Sequence, residues 1–439
     1  MLLLFLVVLL ILILIVNYQV HNHEILTPSF IYTASFCLST IWALLYAQKW
    51  NLNLHLNTFL VLFLGALEFS VIAYLCSILY PSSWLKSPIT DTESPHYEIR
   101  TWKIVCVVVF EILVILITLK TVRSIIPGGS LSQAIYSYRS QVIDPVKSLR
   151  LKPFPEYVVL SRAFSDAIGY FFSYLTAKGL IISKKVYIKY LLPFILSIVN
   201  SMLLGSRGGT IMLLIAALVY VYSLYMKKNE WHTRGNAKVI VIAVAIFIVV
   251  AFSFQSLASL LGRNVSQFSG MDYMAIYLGA EVKNLDTYLQ TIIFPIHRGI
   301  IGGQTFINLN STFSKIFGLS NLKYSLNLPF LSVNGYSLGN VYTSYYSYIN
   351  DLGYFGVSIL VGLMSVISQF SFDTMKRFTL HGKVPLSLLI YGKIATTLVF
   401  AFFSNKFYED IFTLTFIRMV VFWMILNWIL FDKKRSIKM

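Results

Sequence analysis

Long apolar runs alternate with short polar intervals along almost the whole chain. Each run is close to the roughly 20 residues that cross a hydrocarbon core about 30 Å thick as a helix. In lipid such a segment has to satisfy its own backbone groups, and no alternating barrel pattern is present. The pattern predicts spans at Met1–Val16, Phe30–Ala47, Thr58–Tyr80, Ile104–Leu119, Tyr157–Ile182, Tyr190–Leu204, Thr210–Met226, Val239–Leu261, Tyr354–Phe370, Val384–Phe403 and Ile411–Phe431. The first run lacks the basic flank and small-residue cleavage site of a secretory signal, so it is read as a retained span. The expected fold class is all-α: a polytopic integral membrane protein of about 11 or 12 transmembrane helices, one domain over 1–439. The long polar interval of the C-terminal half, 263–353, is expected to form one long external loop.

Between the runs, basic residues cluster. Lys227, Lys228, Arg234 and Lys238 mark one cytoplasmic loop, Lys376, Arg377 and Lys383 another, and Lys433, Lys434, Arg435 and Lys438 a cytoplasmic C-terminus. This orientation puts Arg207 and 263–353 outside. In the N-terminal half the same rule conflicts with itself. Both Lys120–Lys152 and the group Lys184, Lys185 and Lys189 ask to be cytoplasmic, yet one apolar stretch separates them. Either Tyr157–Ile182 folds as a re-entrant pair, or one basic segment is external and binds anions. Within Ser130–Ile143, Leu131, Ala134, Ile135, Tyr138 and Val142 recur at helical spacing, as in a connector lying along the membrane surface.

Composition agrees with the pattern. With 57% hydrophobic and 12% charged residues there is too little polar surface to cover a soluble globule of 439 residues. The net charge of +17 would point to nucleic acid in a soluble protein. Here much of it flanks apolar runs, so no nucleic-acid partner is expected. Cys37, Cys76 and Cys106 lie inside apolar runs without paired or metal-ligand spacing and read as small buried hydrophobes.

The candidate chemistry sits between the runs. Ser206-Arg207-Gly208-Gly209 places an arginine fork beside glycines that let backbone amides approach a ligand, which suits a phosphate or pyrophosphate. The competing reading of Arg207 is a side chain that snorkels to the interface at a helical turn. Arg263 and Arg298 are further cations of the same side. Glu281, Asp286, His297 and Asp351 can accept protons, with Glu281 ranked first and His297 beside Arg298 second. The competing reading of each is a solvated loop charge. Tyr336, Tyr342, Tyr345, Tyr346 and Tyr348 could stack on sugar rings or form an interfacial aromatic belt. Glu68, Glu111, Arg162, Asp166, Lys178, Lys393 and Arg418 fall inside apolar runs, where ionisable groups are costly and face a cavity or one another. They fit a transporter as well as an enzyme. No metal-ligand motif is present and no cofactor is expected.

The order of these pieces, with Ser206–Gly209 after mid-chain spans, then a long polar interval containing Gly299–Phe306, then Gly339-Asn340-Val341-Tyr342-Thr343 leading into a late span, resembles the Wzy-type oligosaccharide repeat-unit polymerases. More distantly it is similar to the O-antigen ligases. The resemblance covers about residues 191–431. It implies a GT-C-like membrane fold and a metal-independent, inverting glycosyl transfer. The substrates would be undecaprenyl-pyrophosphate-linked oligosaccharide donor and acceptor at the outer face of a bacterial cytoplasmic membrane. A flippase and a chain-length regulator would be its partners. On this reading Glu281 and His297 are catalytic, and Arg207, Gly208, Gly209, Arg263, Arg298, Asn340, Tyr342 and Asp351 hold the pyrophosphate and sugars. The alternatives are a lipid-linked-oligosaccharide flippase or transporter, and a ligase-like transferase using another acceptor.

Overall fold

The computed structural model describes the chain except for residues 80–96, 144–150, 205–206, 233–240, 242–269, 292, 296–299, 301, 320–321, 323–327, 381 and 434–439. The expected span Val239–Leu261 and the candidates Arg263, His297 and Arg298 lie outside the described residues. The helices are α1 (Leu2–Val20), α2 (Pro28–Leu45), α3 (Leu56–Leu79), α4 (Thr101–Ile125), α5 (Leu131–Ile143), α6 (Glu156–Ile182), α7 (Ile188–Met202) and α8 (Gly208–Lys228). They continue as α9 (Gly270–Leu278), α10 (Ala280–Thr291), α11 (Ile307–Phe317), α12 (Ser344–Met375), α13 (Leu386–Val399), α14 (Lys406–Ile411) and α15 (Leu414–Leu430). Two short antiparallel ladders complete the description. β1 (Tyr97–Ile99) pairs with β4 (Phe431–Lys433), and β2 (Leu331–Val333) with β3 (Tyr336–Gly339).

The chain is a helical, multi-pass membrane protein. Among the described residues six helices, α1, α2, α3, α4, α8 and α12, are long and apolar enough to cross a membrane. Among the described residues this is fewer than the 11 or 12 expected, for physical reasons that differ by segment. Helix α6 has 27 residues but carries Glu156, Arg162, Asp166 and Lys178. Helices α7, α13 and α15 are apolar but have 15, 14 and 17 residues. At 1.5 Å per residue they are about 20–26 Å long, short of the hydrocarbon core.

Local sequence explains the ends. Pro28 opens α2, where a missing amide costs nothing. Thr413 caps α15, its hydroxyl accepting from the Phe416 amide at 3.0 Å. Helix α12 runs ten residues further back than the expected span and is broken at Gly353, whose φ of 69° and ψ of −162° suit glycine alone.

Side-chain bonds sort the helix termini into two ends. At one, Lys376 pairs with Glu24 at 2.8 Å and lies over the Trp231 ring, Tyr391 donates to the Leu26 carbonyl, Lys228 donates to the Ile181 carbonyl and Lys103 pairs with Asp432. At the other, Arg207 meets α9, Asn405 meets Thr305, and Arg162 donates to the Asn200 carbonyl at 3.1 Å. Because α6 is a single continuous helix, the segments flanking it lie at opposite ends: Lys120 and Arg123, at the end of α4, share the end of Arg207, and Lys184, Lys185 and Lys189 lie at the other. The re-entrant alternative is thereby removed.

The interval 263–353 is built structure over its described part: α9, α10, α11, the β2–β3 ladder and the first turns of α12. Four of the five candidate tyrosines are core, and Tyr336 is half-buried. Tyr342, Tyr345, Tyr346 and Tyr348 are buried, and the Tyr32 hydroxyl donates to that of Tyr345 at 2.9 Å. They form neither an interfacial belt nor an open sugar platform. Cysteine placement also differs from expectation, since only Cys37 is buried while Cys106 is exposed on the outside of the bundle.

Candidate functional site

Arg207 stands at the N-cap of α8 and is 6% exposed. Its Nη2 donates to the Tyr273 hydroxyl at 2.8 Å and to the Tyr277 hydroxyl at 3.4 Å. The guanidinium lies 5.6 and 5.4 Å from the two ring centroids, and Tyr277 stacks in turn on Phe403. Tyr273 and Tyr277 are four apart on α9, so one helical face presents both rings to the cation. This is a held guanidinium at a helix N-terminus, where the first amides and the dipole favour an anion. A side chain that snorkels into solvent would be exposed, and this one is not. Gly209 has a packing reason of its own: a Cβ there would come within 2.6 Å of the Ser201 hydroxyl, so glycine lets α7 and α8 approach. Gly208 is the first residue of α8, next to the arginine.

One and a half turns into α8, Met212 leads to a second charged group. Lys393 Nζ lies 3.8 Å from Met212 Sδ and 2.6 Å from Asp410 Oδ2, and Lys406 pairs with Glu409 at 2.5 Å. Burial pushes the Asp410 carboxyl up, but Lys393 and then Lys406 outweigh it and hold the group below the usual carboxylate range. Burial likewise pulls Lys406 down, and Glu409 and Asp410 more than restore its charge. On the neighbouring α4, α6 and α7, Glu111 accepts from the Ser165 hydroxyl at 2.6 Å and from the Asn200 amide at 2.5 Å. Of the charges expected inside apolar runs, Lys393 meets a carboxylate and Glu111 meets two neutral hydrogen-bond donors.

The other candidates at this end have different surroundings. Glu281 is fully buried in α10, and neither carboxylate oxygen has a hydrogen-bond partner. Burial raises its carboxyl well above the ordinary value, and its own backbone amide opposes this only in part. A raised value favours the neutral acid, the direction that works against the general-base role for which it was ranked first. Asp351 accepts from the Thr305 amide at 2.7 Å and the Gln304 amide at 3.1 Å, while Asn405 donates to the Thr305 carbonyl at 2.9 Å. It anchors the 302–306 turn to α12 and α14. Tyr342 donates to the Pro329 carbonyl at 3.0 Å and packs with Tyr288 and Tyr346. Asn340 follows Gly339 at the end of β3 and is partly exposed.

One arrangement escaped sequence reasoning. Asp286, at 1% exposure, accepts from the His55 backbone amide at 3.0 Å and the Thr58 hydroxyl at 2.7 Å, and its Oδ2 lies 3.0 Å from His55 Nδ1. The imidazole side chain is 53% exposed. A buried carboxylate on one ring nitrogen sets the tautomer and leaves the other nitrogen to accept a proton. The partners are 231 residues apart, so no local motif announces them. A lone His before an apolar run was the whole signal.

Among the described residues no three His, Cys, Asp or Glu side chains converge as a metal-ligand set. Comparison with protein-family profiles, with curated proteins and with solved structures finds no match for this chain.

Proposed function

We propose that the protein is a glycosyltransferase of the cytoplasmic membrane of a bacterium. It would polymerise undecaprenyl-pyrophosphate-linked oligosaccharide repeat units into a surface polysaccharide at the outer face, with a GT-C-like arrangement of helices. The observation that carries the reading is the buried Arg207 fork, fixed by Tyr273 and Tyr277 at the N-terminus of α8. A leaving pyrophosphate gains negative charge as its bond to the sugar breaks, and a cation already in place stabilises that charge without reorganising. In one displacement the acceptor hydroxyl oxygen bonds to the anomeric carbon, the pyrophosphate leaves with the electron pair of the broken C–O bond, and the hydroxyl proton passes to a base. Among the described residues His55, oriented by Asp286, is the group best prepared to take it. The positive-inside rule supports placing Arg207 outside, since the opposite end carries Lys227, Lys228, Lys376 and Arg377. A flippase supplying the units and a chain-length regulator would be its natural partners.

A second reading, a lipid-linked-oligosaccharide transporter, is favoured by the Lys393–Asp410 pair inside the bundle. The test is purified protein in lipid nanodiscs with a defined polyprenyl-pyrophosphate oligosaccharide. A ladder of longer lipid-linked products supports polymerisation. Transfer to a different acceptor would make the protein a ligase-like transferase. Unchanged substrate, together with its passage across proteoliposomes, would instead establish transport.

A further inference from the structure

Helix α11, at the Arg207 end, carries an apolar side that stands largely exposed. None of its residues is buried, and Phe313, Ile316 and Phe317 are 40%, 62% and 65% exposed. At 100° per residue these three and Leu309 fall on one stripe, while Asn308, Ser311 and Lys315 fall on the other side. Gly318, with φ of 67°, ends the helix, and Leu319 just beyond it is again exposed.

The position of α11 says what meets the stripe. Asn308, on the polar side, donates to the Glu409 carbonyl of α14 at 2.7 Å, and Asn310 donates to the Gly302 carbonyl. Phe306, at its N-cap, packs on Tyr408 and Phe412. Two residues after Phe412, α15 begins, and its outward residues Ile417, Val421 and Met424 are exposed in the manner of a lipid-facing surface. Helix α11 is thus moored beside the start of an apolar helix whose outward face is exposed. An 11-residue helix is too short to span and has the charge placement of one lying in the interface, Lys315 standing away from the stripe.

We propose that α11 lies in the headgroup–acyl boundary of the bilayer at the Arg207 end, with Leu309, Phe313, Ile316 and Phe317 immersed. This contact is independent of the chemistry proposed above.

The test places single cysteines at Ile316 and Phe317 on the stripe and at Ser311 and Lys315 opposite, in a protein with Cys37, Cys76 and Cys106 replaced by Ala. Nitroxide-labelled protein is reconstituted in nanodiscs of phosphatidylethanolamine and phosphatidylglycerol. Collision rates with oxygen, which concentrates in lipid, and with a water-soluble nickel chelate are then compared. Oxygen should dominate at 316 and 317 by several-fold and the chelate at 311 and 315. Chelate dominance at 316 and 317 would put the stripe in water. Low access to both reagents would show that protein covers it, a second copy or another chain. Either result overturns the proposal. Should Ile316→Cys or Phe317→Cys fail to give monodisperse protein, Phe313→Cys reports on the same stripe.

Discussion

Lys393 Nζ lies 2.6 Å from Asp410 Oδ2, joining α13 to α14 through an ion pair that is largely out of solvent on both sides. Removing Lys393 leaves the desolvated Asp410 carboxylate with Lys406 as its remaining cation, a loss that approaches the roughly 3–5 kcal/mol of an uncompensated buried charge. Lys393→Met should therefore lower thermal stability in detergent markedly, and the double variant Lys393→Met with Asp410→Leu should recover most of the loss. A double-mutant cycle of melting temperatures checks it. Additive losses would mean the two side chains are not coupled.

Glu281 is a buried acid whose surroundings favour the neutral form. Its folded-state carboxyl sits well above the ordinary 4.5, so the stability it contributes is complete below that value and declines as pH rises from there through the folded value. Glu281→Gln removes the decline. The variant should be more stable than the parent once pH passes the ordinary value, with a gap that widens on raising pH, as melting curves across pH will show. Turnover should stay close to that of the parent. A 10²- to 10⁴-fold fall would return the residue to the role of general base.

His55 should matter to turnover and little to donor binding. His55→Ala is expected to slow elongation by about 10²- to 10⁴-fold, and added imidazole should restore part of the rate, because the Asp286 carboxylate still waits for the ring. A histidine that only tethers α3 to α10 would show no such rescue.

Arg207→Lys keeps a positive charge but loses the planar fork that addresses both tyrosine hydroxyls. Chain extension should fall at least tenfold, roughly the loss of one charge-assisted bond. Polymer of full length at equal expression would separate Arg207 from the site.

The two ends of the bundle predict a labelling pattern. Cysteines introduced at Asn310 and Ser404 should react with an impermeant reagent from outside, and one at Asn229 only after the membrane is opened. The reverse pattern would invert the orientation and with it the proposed substrate side. A cysteine near Arg139 should label with Asn310, since α5 follows the end of α4 that lies beside Arg162 and Asn200.

What the chain's sequence determined by itself is the class of fold, since the apolar runs must be buried in lipid as helices whatever their neighbours. It also marked Arg207 and the costly charges Glu111, Arg162, Asp166 and Lys393 as sites of interest. Tertiary structure alone decided the rest. A glutamate reads identically in a polar interval whether it is solvated or buried, and only the packing around α10 removed water from Glu281. The tyrosines before α12 likewise became core because α2 and α3 cover them. His55 and Asp286 met because α3 and α10 pack end to side. Protonation and reactivity follow from desolvation and from neighbours distant in the chain, and neither quantity is local to a stretch of sequence.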